Sequence, residues 1–437
     1  MESSKSEPII CLRRRWLIAL IAFFVLLQII TPSRVWIVLL LVLGGTLAAS
    51  YYWARQMADK VTLTREQHYG WVHVGDLLEE RFSLCNESLL PVPWVEINDQ
   101  SDLPGYAARS VRSAGAQQTV HWRTEGICRQ RGLFTLGPWQ ARASDPFGLF
   151  QVTFDYPDSQ SILVYPPIVH LPGLRLPRGA ATGIGRTSRQ ALEVTTNAAG
   201  VRVYAPGDST NRIHWRTTAR LQELMVKTFD LEPSGDLWIL LDLDAAVQAG
   251  EAAESTEEYG VILAASLSNQ TLRQNRAVGL VAYGTTGASS GHPAEPLPTI
   301  VLPQKGTAHQ WRILQALSTV RAGGNWPLER VLSEMDRNLG RGMTLAVITP
   351  SCDPAWVAGL LPPMRRGVAP SVVLLDPVSF GGTGNTGALI RLLADLGVPT
   401  DRIVQGMPFT PIVQHKRIGR PEYKVLTATG RVVVVDQ

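Results

Sequence analysis

The chain has 437 residues, of which 45% are hydrophobic and 18% charged, a composition of folded or membrane-attached proteins that excludes a disordered chain. At roughly 100–200 residues per domain, this length indicates two or three domains. The net charge of only +4 argues against nucleic-acid binding by the chain as a whole. Cys11, Cys85, Cys128 and Cys352 show no paired spacing, so we expect neither a disulfide scaffold nor a cysteine-based zinc site.

Two apolar runs near the N-terminus predict a transmembrane helical hairpin over residues 1–60, with helices at about 16–31 and 35–53. The runs Trp16–Ile30 and Val35–Tyr51 span roughly 22 and 25 Å at 1.5 Å per residue. A hydrocarbon core is about 30 Å thick, so each run needs its flanking residues or a locally thinner bilayer. A signal peptide is the alternative, but no small-residue cleavage site follows the first run.

Basic residues flank this hairpin on one side. Arg13–Arg15 precede the first helix, Arg55 and Lys60 follow the second, and the loop between the helices holds only Arg34. The positive-inside rule therefore predicts a cell-membrane protein with two helices, with both termini and the soluble domains in the cytoplasm. Unpaired cysteines agree with a reducing compartment.

Residues 61–160 have short strand-like segments separated by turn residues, which predicts a small all-β, sandwich-like domain built of antiparallel strands. The expected strands are Leu77–Leu84, Val92–Ile97, Val120–Trp122, Gly132–Leu136 and Phe150–Phe154. Residues 161–235 contain a Pro- and Gly-rich linker. In this segment Leu224–Leu231 alternates like a strand, and we expect it to form a hairpin with Leu237–Leu243 around Pro233-Ser234-Gly235.

Residues 236–437 alternate between continuous apolar strands and helices, which predicts a doubly wound α/β domain. Ser255 and Glu258 fit a capping box at the start of its first helix. The expected strands are Leu237–Leu243, Ala277–Tyr283, Met343–Thr349 and Ser371–Asp376, the later helices are Ala308–Val320, Leu328–Leu339 and Ala388–Leu396, and Tyr423–Val435 is expected to be a hairpin that turns at Gly430.

Two segments carry a family resemblance. In the β-rich part, Arg131-Gly132-Leu133-Phe134 is followed by the motif Asp145, Pro146, Phe147, Gly148. The second segment is R-x-Y-x-P-G-D, continuing as R-I-H-W-R and A-R, and its members are Arg202, Tyr204, Pro206, Gly207, Asp208, Arg212, His214, Trp215, Arg216 and Arg220. The chain closely resembles the DUF58 family of prokaryotic membrane proteins, and the order of its parts is similar to that family over nearly the whole length.

The second motif has a physical interpretation of its own. Pro206-Gly207 indicates a turn, and Asp208 is expected to cap a short helix. Arg212, Arg216 and Arg220 are four residues apart and would share one helix face. Three guanidinium groups on one face need anions: internal carboxylates, an acidic protein partner, or a phosphate or nucleic-acid ligand. In the first case, Trp215, Tyr204 and the arginines would fix the linker onto the sheet.

The resemblance also implies a von Willebrand factor A-like fold for the α/β half. That fold holds a divalent cation with D-x-S-x-S after its first strand. The corresponding stretch here runs from Asp242 to Ala246, with Asp244 in place of the first Ser and Ala246 in place of the second. At a later ligand position, where T-D-G is common, this chain has Thr349-Pro350-Ser351. Since Ala246 offers no side-chain oxygen, we expect a degenerate site where Asp242 and Asp244 hold at most Mg²⁺ through water, and no other cofactor. The alternative is that both are carboxylates at the sheet edge that cap a neighbouring helix or pair with arginine.

Other motifs give weaker indications. Gly287–Gly291 matches G-x-S-x-G, but the prolines that follow do not permit the helix of a nucleophile elbow. Gly382–Gly387 matches G-x-G-x-x-G, but too little chain remains for a second mononucleotide-binding half, and we expect a loop. No P-loop motif and no zinc-hydrolase motif occurs.

These observations predict a membrane-anchored, non-enzymatic interaction or scaffold protein. The family resemblance implies a partner, a MoxR-type AAA+ ATPase, and a role in the assembly or maturation of other proteins. Two alternatives stay open. The first is a metal-assisted hydrolase that uses Asp208, Asp242, Asp244 and His214, which requires these residues to converge. The second is an envelope-binding protein that acts through its β domain.

Overall fold

A computed structural model of the chain describes residues 6–66, 71–171, 174, 198–205, 213–229, 236–286, 296–407, 410–411, 422–426 and 431–435. The motif Gly287–Gly291 lies outside the described residues, as do Pro206, Gly207, Asp208 and Arg212.

The N-terminal region consists of a short strand and two apolar helices: β1 (Ile9–Leu12), α1 (Trp16–Ile30) and α2 (Arg34–Lys60). The 27-residue α2 is long and apolar enough to cross a membrane, whereas α1 is a shorter apolar helix. The rings of Phe24 and Trp36 stack 5.5 Å apart, so the two helices pack against each other.

The boundary predicted for the second helix is wrong. Helix α2 continues to Lys60 instead of ending near residue 53. Its last turns bury Ala54, Met57 and Ala58 in the core of the following β-rich region. These three residues lie at helical spacing on one face, and their burial stabilises the extra turns.

In the described residues of the β-rich region there are ten strands: β2 (Val61–Glu66), β3 (Trp71–His73), β4 (Leu77–Asn86), β5 (Val92–Asp99), β6 (Ser110–Ala114), β7 (Gln118–Ile127), β8 (Gly132–Leu136), β9 (Trp139–Ser144), β10 (Phe150–Tyr156) and β11 (Gln160–Tyr165). They form three sheets in the orders β1-β10-β9-β5-β6, β2-β4-β7 and β3-β11-β8. Alternate residues of β4 are buried, including Leu78, Phe82 and Leu84, and they join a single core cluster.

Two features of this region differ from the predictions. Residues 1–60 were assigned to the hairpin alone, yet β1 pairs antiparallel with β10 as an edge strand of the first sheet. In addition, β3 is parallel to β11, where antiparallel strands were expected. The long stretch of chain between β3 and β11 supplies the crossover that a parallel pair requires.

The next elements are β12 (Val169–His170), β13 (Ala198–Val203), α3 (Trp215–Leu221) and β14 (Met225–Phe229). They are followed by β15 (Leu237–Asp242), β16 (Gly250–Glu251), β17 (Glu254–Ser255), α4 (Thr256–Arg273), β18 (Val278–Thr286), β19 (Pro296–Gln304), α5 (Thr307–Thr319), β20 (Val320–Arg321), α6 (Leu328–Met335), β21 (Thr344–Thr349), α7 (Leu361–Arg365), β22 (Ala369–Leu375), α8 (Thr386–Asp395) and β23 (Thr400–Ile403). The last strands are β24 (Thr410–Pro411), β25 (Glu422–Leu426) and β26 (Arg431–Val435).

The α/β half is built on a sheet of order β19-β18-β15-β21-β22-β23, with the short β20 also pairing with β18. Strands β18, β15, β21, β22 and β23 are parallel, and β19 is antiparallel at one edge. Helices α4 and α5 contribute to a core cluster on one face, and α6 and α8 to a separate cluster on the other. The predicted alternation of strands and helices is therefore confirmed as an α/β sheet domain.

The hairpin expected between Leu224–Leu231 and Leu237–Leu243 is wrong. Strand β14 pairs instead with β13, in a two-stranded antiparallel sheet. The reason lies in the position of β15, which is inside the parallel sheet with β18 on one side and β21 on the other. Its hydrogen-bonding edges are already occupied. Near the C-terminal end, β25 and β26 form the antiparallel pair that was predicted.

Candidate functional site

Three parallel strands end in polar residues at one edge of the α/β sheet. Asp242 is the last residue of β15, Thr349 is the last residue of β21, and Asp376 directly follows β22. Because the strands are parallel neighbours, their carboxyl ends meet at the edge where open α/β sheets bind ligands. Asp242 and Asp376 are 6% and 2% exposed.

The oxygens of Asp242 accept hydrogen bonds from within the protein. Thr349 Oγ1 donates to Asp242 Oδ2 at 2.6 Å, and the backbone N–H of Asp244 donates to Oδ1 at 3.1 Å. Burial raises the pKa of Asp242 to about 6, although both hydrogen bonds act in the opposite direction. Asp244 Oδ1 in turn accepts from the N–H of Ala246 at 3.1 Å. The stretch corresponding to a cation-binding motif is thus a hydrogen-bonded turn.

Asp376 organises the neighbouring loop. Its Oδ1 accepts from Thr386 Oγ1 at 2.7 Å, and its Oδ2 accepts from Arg402 Nε at 3.1 Å. Burial acts to raise the pKa of Asp376, but these hydrogen bonds and the charge of Arg402 outweigh it and hold that pKa below its usual value. The bond to Thr386 ties together the two ends of the loop that contains Gly382–Asn385, whereas Gly387, the last residue of the G-x-G-x-x-G sequence, already lies in α8. Asn385 then caps α8 by accepting from the N–H of Ala388.

These contacts bear on the metal and hydrolase hypotheses. Within the described part of the chain, no group of three or more His, Cys, Asp or Glu side chains is arranged to hold a metal ion. The hydrolase hypothesis also needs Asp208, which lies outside the described residues. Its fourth member, His214, caps a helix: its Nδ1 accepts from the N–H of Thr217 at 3.1 Å. In the described residues, Asp242, Asp244 and His214 thus each take part in a hydrogen bond of their own turn or helix start.

The second family motif forms a small unit of its own, which we call the motif unit and define as residues 198–205 and 213–229. It consists of β13, α3 and β14, and Arg202 lies in β13 opposite Val226. The N-cap of α3 is His214, because this helix begins at Trp215. The cap expected at Asp208 lies outside the described residues. Tyr204 continues the pairing, since its N–H donates to Leu224 O at 2.7 Å.

The motif unit presents an apolar and basic surface. Five large apolar side chains of its described residues are exposed: Trp215 at 67%, Val203 at 57%, Leu221 at 56%, Leu224 at 45% and Val201 at 38%. Arg216 and Arg220 are also exposed and share a face of α3, but Arg212 precedes this helix. Among the described residues, neither arginine forms an ion pair. The exposure of Trp215 weighs against the interpretation that it fixes the linker onto the sheet.

The Asp145–Gly148 motif forms the turn between β9 and β10. Asp145 is buried, and its carboxylate accepts from the N–H groups of Phe147 at 3.0 Å and Phe150 at 2.6 Å. Gly148 has a φ of 64°, in the left-handed region that favours glycine. Pro146 lies between these residues, and Phe147 at the tip is 53% exposed. The motif therefore shapes a turn that displays an aromatic side chain.

A buried joint between the two halves of the chain was not predicted from the sequence. Arg131, at the start of the first family segment, is fully buried and donates to Leu317 O at 3.0 Å and Val320 O at 2.7 Å. It also donates to Glu257 Oε1 at 2.8 Å and forms an ion pair with Glu258. We call Arg131, Glu257, Glu258 and Arg321 the arginine joint, because Arg321 donates to Glu258 Oε1 at 3.0 Å.

The arginine joint also changes the interpretation of the capping box. Ser255 does cap α4, with its Oγ accepting from the N–H of Glu258 at 3.3 Å. The side chain of Glu258, however, is directed to Arg131 and Arg321. The sequence signal for this joint was the unusual R-G-L-F string. However, the glutamates that Arg131 contacts lie more than 120 residues further along the chain.

Comparisons with known proteins agree with the motif assignment. Residues 200–357 match the family model described as "Protein of unknown function DUF58". We call this matched stretch the DUF58 segment; it covers most of the motif unit and the first part of the α/β half. The chain is 24% identical over 278 residues to Uncharacterized protein YeaD of Bacillus subtilis (strain 168), covering 62% of this chain and 65% of that protein. It is 25% identical over 181 residues to Uncharacterized protein Rv1480 of Mycobacterium tuberculosis, covering 40% of this chain and 54% of that protein. The chain thus spans less than two thirds of the length of either relative.

Two solved structures each match about a quarter of the chain. A CARDB domain from Pyrococcus furiosus is 14% identical, with a TM-score of 0.18, and covers 24% of this chain and 94% of its own. A chain in the human complex of zinc 2-glycoprotein with prolactin-inducible protein is 9% identical, also with a TM-score of 0.18, and covers 24% of this chain and 95% of its own. Scores this low carry no conclusion about the fold.

Proposed function

We propose that this chain is a membrane-anchored, non-enzymatic protein whose DUF58 segment binds a protein partner. In this proposal α1 and α2 form a transmembrane hairpin. Large apolar side chains on both helices are exposed to the surroundings, including Ile29 at 73% and Leu41 at 71%. Such surfaces are stable in lipid and costly in water. The basic flanks then favour the cytoplasmic side for the soluble part.

The exposed surface of the motif unit is the observation that carries the binding proposal. Isolated exposed apolar residues are ordinary, but five large ones within a small unit beside Arg216 and Arg220 are typical of interaction surfaces. Trp and Arg are also the residue types that most often contribute binding energy at protein interfaces. The two arginines favour a partner with an acidic rim around an apolar pocket.

The proposed partner is a MoxR-type AAA+ ATPase, with a role in the assembly or maturation of other proteins. Its support is the resemblance to the DUF58 family. We further propose a von Willebrand factor A-like fold for the α/β half. Numbered along the chain without the short strands, its main sheet has the order 3-2-1-4-5-6, with one antiparallel edge and helices on both faces.

Copurification from native membranes tests this function. The full-length protein, solubilised in detergent, should enrich an AAA+ ATPase, and Trp215→Ala should reduce the yield at least tenfold. Leu302→Ala is the matched control, because Leu302 is 63% exposed on the edge strand β19, outside the motif unit. Absence of any AAA+ ATPase, or equal loss with both variants, would contradict the proposal.

A further inference from the structure

Two turns of the β-rich region lie beside the middle of α2. The turn between β4 and β5 contacts α2 through Trp53, whose Nε1–H donates to Pro91 O at 2.9 Å. The turn between β9 and β10 ends at Phe150, whose ring centroid is 5.6 Å from that of Tyr51. Both turns therefore lie at the level of Tyr51–Trp53, where the most apolar part of α2 ends.

The chain enters α1 at the same level. Strand β1 runs beside β10 so that Leu12 is opposite Phe150, and the N–H of Arg13 donates to Leu149 O at 2.8 Å. Arg13–Arg15 then lead directly into α1. We call this surface the helix-proximal face and define it as the turns 87–91 and 145–149 together with Arg13–Arg15.

The tips of both turns display large apolar side chains. Leu89 is 78% exposed and Phe147 is 53% exposed. Neighbouring Tyr51 and Tyr52 on α2 are 47% and 59% exposed. Aromatic residues at the end of an apolar helix typically mark the interface between hydrocarbon and lipid headgroups. Both tips thus lie beside the expected headgroup layer.

We propose that the helix-proximal face binds the surface of an anionic phospholipid bilayer. Phe147 and Leu89 insert among the headgroups, while Arg13–Arg15 bind the lipid phosphates. This inference rests on the membrane anchoring proposed above. The length of α1 supports it further: 15 residues span only about 22 Å, so the bilayer thins there or the flanking residues move towards it.

Membrane contact at this face would fix the orientation of the β-rich region. The last turns of α2 are already part of its core through Ala54, Met57 and Ala58, so helix and strands move as one body. With two turns resting on lipid, the region cannot tilt freely about α2. Because the arginine joint links the β-rich region to the α/β half, the orientation of the α/β half would be restricted as well.

Spin-label accessibility in lipid nanodiscs tests the inference with the full-length protein. Nitroxide labels are placed by Phe147→Cys and Leu89→Cys in a Cys11→Ser background, since Cys11 is exposed. The same background without an added cysteine gives the residual labelling of the other three cysteines. Two reference variants complete the set: Leu41→Cys in the apolar part of α2, and Ile127→Cys. Ile127 is 50% exposed and lies opposite Leu77, at the other end of the ten-residue β4 and about 30 Å from its helix-side end.

The ratio of oxygen to nickel-complex accessibility reports the depth of each label. We expect this ratio to be severalfold higher at positions 147 and 89 than at 127, and highest at 41. Phosphatidylglycerol should increase the ratio at 147, and replacing Arg13, Arg14 and Arg15 with Gln should abolish that increase. Water-like ratios at 147 and 89 beside a lipid-like ratio at 41 would overturn this inference alone. A water-like ratio at 41 would overturn the membrane anchor itself.

Discussion

The arginine joint gives a sharp stability prediction, for which the perturbation is Arg131→Met. Methionine retains much of the aliphatic stem but removes the charge and all the donors. Glu257 and Glu258, whose side chains are 19% exposed, then lose their fully buried counter-charge, and the carbonyls of Leu317 and Val320 lose their donors. Breaking a buried ion pair costs about 3–5 kcal/mol, and each unsatisfied carbonyl about 1–3 kcal/mol.

We expect a total loss of about 4 kcal/mol, below the sum of these values, because Arg321 stays close to both glutamates and partly compensates their charge. For folded units of this size the loss corresponds to a melting temperature lower by about 10 °C. The assay is thermal unfolding of the detergent-solubilised protein, followed by tryptophan fluorescence. Adding Glu257→Gln and Glu258→Gln to Arg131→Met should restore part of the loss, since the uncompensated charge is then removed.

Arg109→Met is the matched control. Arg109 pairs with Glu96 at 3.1 Å, but its side chain is 72% exposed, and such surface pairs contribute about 0–1 kcal/mol. The reasoning about the joint is refuted if Arg131→Met lowers the melting temperature no more than Arg109→Met does. It is also refuted if the added Gln substitutions lower the stability further.

Two predictions concern ionisable groups. Burial is the main cause that raises the pKa of Asp242 from an ordinary value of 3.8 to about 6 in the folded protein. As the pH rises, the unfolded chain therefore loses this proton at a lower pH than the folded protein does. The contribution of Asp242 to stability should therefore fall as the pH rises from about 4 to about 6, by on the order of 3 kcal/mol. Asp242→Asn should remove this fall and be at least as stable as wild type at neutral pH. Unfolding measured across that pH range checks this, and a pH profile of stability that is the same in the variant as in wild type would contradict the prediction. Burial also raises the pKa of the Cys128 thiol to about 11. Iodoacetamide at mildly alkaline pH should therefore alkylate the exposed Cys11 and leave Cys128 intact until the protein unfolds. Peptide mass spectrometry can check which cysteine is modified.

Elements whose signal is local could be predicted from the sequence. Strands β15, β21 and β22 are continuous apolar runs, because both faces of the sheet are covered, and their positions were correct to within two residues. Strand β19 was missed because Pro296, Pro298 and Pro303 argue against a strand, and only its edge position tolerates them.

Features that depend on distant partners could not be predicted. The short β1 is a strand only because β10 provides a partner more than 130 residues later. The burial of Arg131 likewise depends on Glu257 and on two helix-end carbonyls. For the candidate site, Asp242 and Asp244 were recognised, but their hydrogen bonds depend on how Thr349 and the following turn are placed.

The extension of α2 is a different case, because its signal was present. Ala54, Met57 and Ala58 are spaced for one helix face, but they lie in a polar stretch after the apolar run. That contrast favoured a helix end near residue 53. The structure shows that from this point α2 packs into the core of the β-rich region, and that it continues to Lys60.

Site-specific photocrosslinking at Trp215 tests whether the motif unit binds an AAA+ ATPase. A photoreactive benzoylphenylalanine replaces Trp215 in the full-length protein, and the crosslink is formed in intact cells and identified by mass spectrometry. We expect one dominant adduct with an AAA+ ATPase at position 215 and none at position 302, which is similarly exposed. An adduct pattern shared by both positions, or a product at 215 without an AAA+ ATPase, would contradict it.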